Sequence, residues 1–160
     1  MIGIMADSHD NVTNIRRAVE LFNDARCSLV IHAGDFIAPF AARELGGLKC
    51  RVKAVYGNCD GEREGLRKAF EPLGEIEEAP HSFSFQNLNF FLVHLDFVLD
   101  KDAASKEYDV AVFAHTHKPQ VTKRKNTLFI NPGEAGGWLS GRPTVVLLDQ
   151  KSLTAEIVAL

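Results

Sequence analysis

Residues 109–120 read DVAVFAHTHKPQ, an apolar run that stops abruptly at two histidines. Val110, Ala111, Val112 and Phe113 have the character of a buried strand. His115 and His117 follow at once. Side chains at i and i+2 of an extended chain point to the same side, so both imidazoles are expected to face one point in space.

Outward from this stretch, the same event occurs four more times. IGIMAD ends in Asp7 with His9 beside it, and LVIHAGD ends in Asp35. VKAVYGNCD ends in Asn58, Cys59 and Asp60, and NFFLVHLD carries His94. In open α/β sheets the crevice outside the carboxyl ends of the strands is where ligands bind. Five strand ends send carboxylate, imidazole or carboxamide groups to that place. A metal-free cluster of imidazoles would repel itself on protonation and would bury nitrogens that need partners. The pattern therefore points to a metal centre.

The rest of the chain sets the frame. Its 160 residues are expected to form one domain spanning 1–160, with 46% hydrophobic and 24% charged residues, as in an ordinary globule. No apolar run reaches the ~18 residues of a membrane span. MIGIMADSHD lacks the basic flank of a signal peptide and reads as a first strand. A net charge of −3 gives no broad attraction to nucleic acid or to an anionic membrane. Cys27, Cys50 and Cys59 are scattered, which suits a reducing compartment, and the cytoplasm is the expected location.

The first half alternates strands with helical patterns. IGIMA leads into a helix from about Asn11 to Ala25, with Ile15, Ala18, Val19 and Phe22 at i, i+3, i+4 and i+7. SLVIHA, a short helix near Pro39 to Leu45, the strand RVKAVY and a helix near Glu62 to Phe70 follow. This alternation implies a parallel sheet flanked by helices. The second half predicts two strands turning at Gln86-Asn87, a helix near Lys101 to Lys106, and hairpins turning at Lys125-Asn126 and at Gln150 to Ser152. Two sheets face to face between helices, an α/β sandwich, accommodate both halves.

The donors are too many for one tetrahedral ion and too rich in nitrogen for calcium or a lone magnesium. Two first-row divalent ions fit. They bring four positive charges against two carboxylates, so the pocket attracts anions although the protein is acidic.

D-x-H at Asp7 to His9, G-D at Gly34-Asp35, G-N at Gly57-Asn58, a lone His94, H-x-H at His115 to His117 and INPG at 130–133 resemble the calcineurin-like metallophosphoesterases. Order and spacing are similar to the small phosphodiesterase branch over nearly the whole chain. The resemblance implies a four-layer α/β/β/α sandwich, a dinuclear centre and hydrolysis of a small phosphodiester by solvent activated between two ions. It implies Asp7, His9 and His117 on one ion, Asn58, His94 and His115 on the other, and Asp35 bridging. Manganese is the first expectation, with iron, zinc, nickel or cobalt also suited by the mixed donors. A homodimer is common among relatives.

The departures carry chemistry too. Many relatives have a histidine after the G-N asparagine, placed to protonate the leaving group, and here Cys59 stands there. A thiol is a poor substitute near neutral pH, so diesters with good leaving groups are the expected substrates. Leu95-Asp96 replace the Gly-His that usually follows the lone histidine, and Leu95 is expected to alter the pocket wall. Ala114 stands for the usual glycine before the H-x-H. Glu134 is expected to place charge near the pocket and disfavour highly anionic substrates. Asp60 is read as the cap of the next helix or as a support of the Asn58 loop. His32 is expected buried behind the site, and Trp138 is read as the buried anchor of GEAGGWLSG. Lys123-Arg124-Lys125 reads as a solvated hairpin tip.

Neither a C-x5-R phosphate loop nor a G-x-x-x-x-G-K-[ST] motif is present. The rival reading is a non-catalytic protein-binding scaffold on the same fold, as in a retromer subunit. Such a scaffold has no need to fill every ligand position, and here all seven are filled.

Overall fold

The computed structural model describes residues 1–99 and 108–160. Four strands, β1 (Ile2–Met5), β2 (Leu29–His32), β3 (Arg51–Val55) and β4 (Gly74–Glu77), run parallel in the order of the chain. Between them come α1 (Val12–Asp24), α2 (Pro39–Ala42) with a 3₁₀ turn at Arg43–Gly47, and α3 (Arg63–Phe70). Every residue of β1 and β2 is buried, the continuous burial expected of strands covered on both faces.

The second sheet is built from β5 (His81–Phe85), β6 (Leu88–Leu92), β7 (Val110–Val112), β8 (Gln120–Arg124) and β9 (Thr127–Asn131), in the order β5-β6-β7-β9-β8. The chain then returns to the first sheet. β10 (Thr144–Asp149) pairs antiparallel with β1, and β11 (Thr154–Ala159) closes that edge.

Asn11 caps α1, its side-chain oxygen accepting from the Asn14 N–H at 3.2 Å. The apolar stripe of α1 lands on the first sheet, with Ile15, Ala18, Val19 and Phe22 in one cluster with Val30, Val52, Leu66 and Phe70. A Cβ on Gly3 would lie 2.6 Å from the Phe22 ring, so the glycine is what lets the helix approach the strand. A second core lies between the sheets, where Ile2, Ile4, Leu29 and Ile31 meet Phe90, Leu92, Val110, Val112 and Ile130. A third cluster, with Phe91, Leu99, Tyr108 and Phe113, covers the opposite face of the second sheet. These layers agree with the four-layer α/β/β/α sandwich. Among the described residues no helix is long and apolar enough to cross a membrane.

Most expected elements are present, with informative differences. The turns at Gln86-Asn87 and Lys125-Asn126 lie where the pattern put them, with Gln86, Asn87 and Lys125 in left-handed backbone. The helix begun at Pro39 stops after Ala42 and tightens into 3₁₀ geometry that ends at Gly47. β4 was not expected, because Ile76 is its only buried residue. The helix expected near Lys101 to Lys106 lies outside the described residues.

This topology makes the site. β1, β2 and β3 are adjacent and parallel, as are β6, β7 and β9, so each sheet presents three neighbouring carboxyl ends. Phe22→Ala should cost about 3–5 kcal/mol of stability, measured by urea denaturation, because it empties the α1–sheet contact.

Candidate metal centre

The donor residues do not sit on strands. They lie in the loops just beyond, and Asp7, His9, Asp35, His115 and His117 all have φ between 41° and 69°. Left-handed backbone costs energy for residues other than glycine and gathers at functional sites. It also changes the reading of the H-x-H. β7 ends at Val112, and His115 and His117 are not extended, so their rings do not face one point. The His117 ring meets His9, at 5.2 Å between centroids, whereas the His115 ring stands edge-on to His94 at 5.3 Å.

One group of donors is Asp7, His9 and His117, whose ligand atoms all lie within 4.8 Å of one another. The Nε2 atoms of His9 and His117 are 3.4 Å apart. Asp7 Oδ1 lies 3.6 Å from His117 Nε2 and 3.9 Å from His9 Nε2. That oxygen is buried and has no hydrogen-bond partner among the described residues, which a folded protein rarely tolerates without a missing partner. The other oxygen of Asp7 accepts the His115 backbone N–H at 3.2 Å.

The second group explains itself through hydrogen positions. His94 Nδ1 faces the Ala33 carbonyl at 2.8 Å, so this nitrogen carries the proton. The remaining Nε2 points at Asn58 Oδ1, 2.9 Å away, and at Asp35 Oδ2, 3.4 Å away. A lone pair, a carboxamide oxygen and a carboxylate oxygen thus converge on one place, and each is an acceptor. Only an added proton or a cation resolves that convergence. A carbonyl fixing the far nitrogen is also the usual support of a metal-binding histidine. The residues present fit the expected ions. His115 is exposed and belongs to none of the tight donor groups.

Charge states follow from the same geometry. Burial, reinforced by the negative charges of Asp35 and Glu134, raises the Asp7 carboxyl to about 7 against the opposing pull of His94. Burial would raise Asp35 also, but the hydrogen bond and charge of His94 and the Cys59 N–H hold it at about 2. Burial works to neutralise His94, yet Asp35 outweighs it and the pKa is raised. At Cys59, burial and the nearby Asp35 carboxylate push the thiol up to about 11.

Asp60 does not cap α3, whose N-cap position is Glu62. Its buried carboxylate accepts four backbone N–H groups instead: Asp35 at 3.0 Å, Phe36 at 2.7 Å, Ile37 at 2.8 Å and Gly57 at 2.7 Å. Cys59 donates its backbone N–H to Asp35 Oδ1 at 2.8 Å, and its sulfur accepts from Asn58 Nδ2 at 3.3 Å. His32 lies behind the site as expected. The Gly34 N–H donates to its Nδ1 at 3.2 Å, which leaves Nε2 to donate to Ser8 Oγ at 3.1 Å, and burial keeps the ring neutral.

The supports of the H-x-H loop escaped the sequence reading. Asn131 donates to the Ala114 carbonyl at 3.2 Å and to Thr116 Oγ1 at 3.0 Å, which gives the asparagine of INPG its purpose. Glu134 is wholly buried and does not present its charge to a substrate. It accepts the Leu139 and Ser140 N–H groups and lies 3.6 Å from His117 Nδ1. Trp138 is not the buried anchor of its loop. It is 65% exposed, and its Nε1 donates to the His9 carbonyl at 2.9 Å. Glu134 anchors the loop in its place.

Asp7 makes the chelated protein sensitive to pH. Its folded pKa of about 7 lies well above the ordinary carboxylate range, so between the two the folded state binds more protons and stability falls as pH rises. Asp7→Asn should remove that slope. After treatment with a chelator, the variant should melt at a higher temperature than the parent at about pH 8, and should bind metal more weakly.

The calcineurin-like phosphoesterase superfamily domain matches residues 1–153. The phosphodiesterase MJ0936 of Methanocaldococcus jannaschii is 41% identical over 162 residues, covering 98% of each chain. A solved archaeal phosphodiesterase superposes with a TM-score of 0.94 at 38% identity, over 99% of both chains. Vps29 of Chaetomium thermophilum shares the fold, with a TM-score of 0.71 at 17% identity over 99% of this chain and 95% of its own. Domain match, relative and geometry agree: the chain belongs to the calcineurin-like phosphoesterase superfamily.

Proposed function

We propose that the chain is a phosphodiesterase acting on small diesters with good leaving groups, with two divalent cations held by Asp7, His9, Asp35, Asn58, His94, His115 and His117. The observation that carries this reading is the convergence of His94 Nε2, Asn58 Oδ1 and Asp35 Oδ2 on one place, beside a buried Asp7 Oδ1 that has no hydrogen-bond partner among the described residues. When bound, two such ions lower the pKa of a solvent molecule and polarise the phosphoryl oxygens. Manganese is the proposed ion, with iron, zinc, nickel and cobalt suited to the same donors.

The chain's own groups do the rest. Asp35 lies between the two donor groups, 3.8 Å from His9 Nε2 and 3.4 Å from His94 Nε2, and bridges them. Asn58 offers its oxygen to the centre and its NH₂ to a phosphate oxygen. Asp60 acts as a positioning residue through the backbone of the Asp35 and Gly57 loops. Cys59 sits on the exposed side, beside Asn58. With its pKa near 11 it keeps its proton at neutral pH and is neither a ready nucleophile nor an acid matched to the task. The leaving group must therefore depart as a stable anion, which favours aryl esters and disfavours alkyl monoesters. The cysteines are unpaired among the described residues, in keeping with a cytoplasmic location.

Metal analysis of the purified protein, with hydrolysis of bis(p-nitrophenyl) phosphate in the presence and absence of manganese, tests the proposal. Activity is expected to depend on the metal and to fall more than about a hundredfold in His117→Ala. Full metal occupancy with no turnover of any phosphoester would favour the scaffold. Cys59→His should raise the ratio of monoester to diester hydrolysis by about tenfold or more, and an unchanged ratio removes the leaving-group argument.

A further inference from the structure

A cleft of about 200 Å³ opens from the candidate centre on the side of Asn58 and His94. At ~30 Å³ per water it holds roughly six or seven waters, enough for one ring or a short chain and too little for a whole nucleotide. Asn58 and His94 both line it, so a phosphoryl group seated on these donors would direct one ester arm into it. Tyr56, Pro80 and Leu95 supply apolar walls.

Arg63 and Glu78 stand along the wall, but their charges are committed to each other. Arg63 Nη1 lies 2.5 Å from Glu78 Oε1, its Nε donates to the Asp60 carbonyl at 3.3 Å, and its guanidinium lies 5.0 Å from the centre of the Tyr56 ring. An arm entering the cleft therefore meets apolar surface and a balanced ion pair, with no uncommitted cation for a second anionic group.

We propose that this cleft is a subsite for one organic arm of the substrate and that it selects an uncharged flat or apolar group. The assignment rests on the phosphoesterase reading and deepens it by naming what the phosphorus carries. Leu95 is the residue that sets the preference: it follows His94 directly, and beside Tyr56 and Pro80 it adds the apolar wall that rewards contact with a ring.

The test compares non-hydrolysable phosphonates that carry the same charged head. Phenylphosphonate, methylphosphonate and 4-carboxyphenylphosphonate are titrated into manganese-loaded protein by calorimetry. Phenylphosphonate should bind about tenfold more tightly than methylphosphonate, and the carboxylated ring should lose most of that advantage. Ala79→Phe at the exposed rim of the cleft fills it from outside, and Leu95→Ala removes part of its wall. Each should erase the preference for the ring, and Ala79→Phe should leave methylphosphonate binding unchanged. Equal binding of the phenyl and methyl compounds by the parent overturns the subsite while leaving the phosphoesterase reading in place. A preference that survives Ala79→Phe overturns the location. Binding of neither compound to the loaded protein overturns both readings.

Discussion

One buried carboxylate holds the site together. Asp60, 3% exposed, gathers the backbone N–H groups of Asp35, Phe36, Ile37 and Gly57, and so fastens the loop after β2 to the loop after β3. Hydrogen bonds to an ionised acceptor are the strong ones, and four on a single side chain leave the two loops little freedom. The contact is close enough to exclude any side chain at position 57, where a Cβ would lie 2.1 Å from Asp35 Oδ1. The carboxylate between the donor groups therefore owes its place to a neighbour that never touches them.

The second sheet supplies its donors by a different device. His94 follows β6 and is fixed across the sandwich by the Ala33 carbonyl, which belongs to the chain just past β2. His117 follows β7; Asn131, at the end of β9, steadies the loop that carries it, and Glu134, just beyond, lies 3.6 Å from its Nδ1. The 134–140 loop is in turn bonded to the first sheet, with the Gly136 N–H on the Asp7 carbonyl at 2.9 Å and Asn11 and Asn14 donating to the Gly136 carbonyl. The sheets are joined at their functional end by these bonds as well as by the apolar core between them.

Much of this was legible in the order of residue types. Strand-length apolar runs ending in Asp, His or Asn announce both the parallel sheets and the gathering of donors, because strand ends are where such chains expose function. The helix of Ile15 and Phe22 and the two-residue turns were equally readable, since their signals are local. What was hidden depends on partners remote in sequence. Asp60 looks like a helix cap because it stands three residues before one; only the fold brings it four N–H groups, three of them from the loop after β2. Trp138 looks buried by composition, whereas it lies exposed and its indole N–H reaches the carbonyl of His9, far away in the sequence. The H-x-H pair looks extended by its pattern, whereas its left-handed turn is held by the His115 N–H donating to Asp7 and by Asn131 donating to Ala114 and Thr116.

The left-handed backbone of the donor loops has a consequence for how a cation would be taken up. The conformational cost of assembling the centre falls on the folding of the chain, through the packed sheets and Asp60, and not on the arrival of the cation. Occupancy then becomes a matter of supply and coordination preference. A suitable cation would enter a cradle the fold has already shaped, and its departure would leave that fold in place.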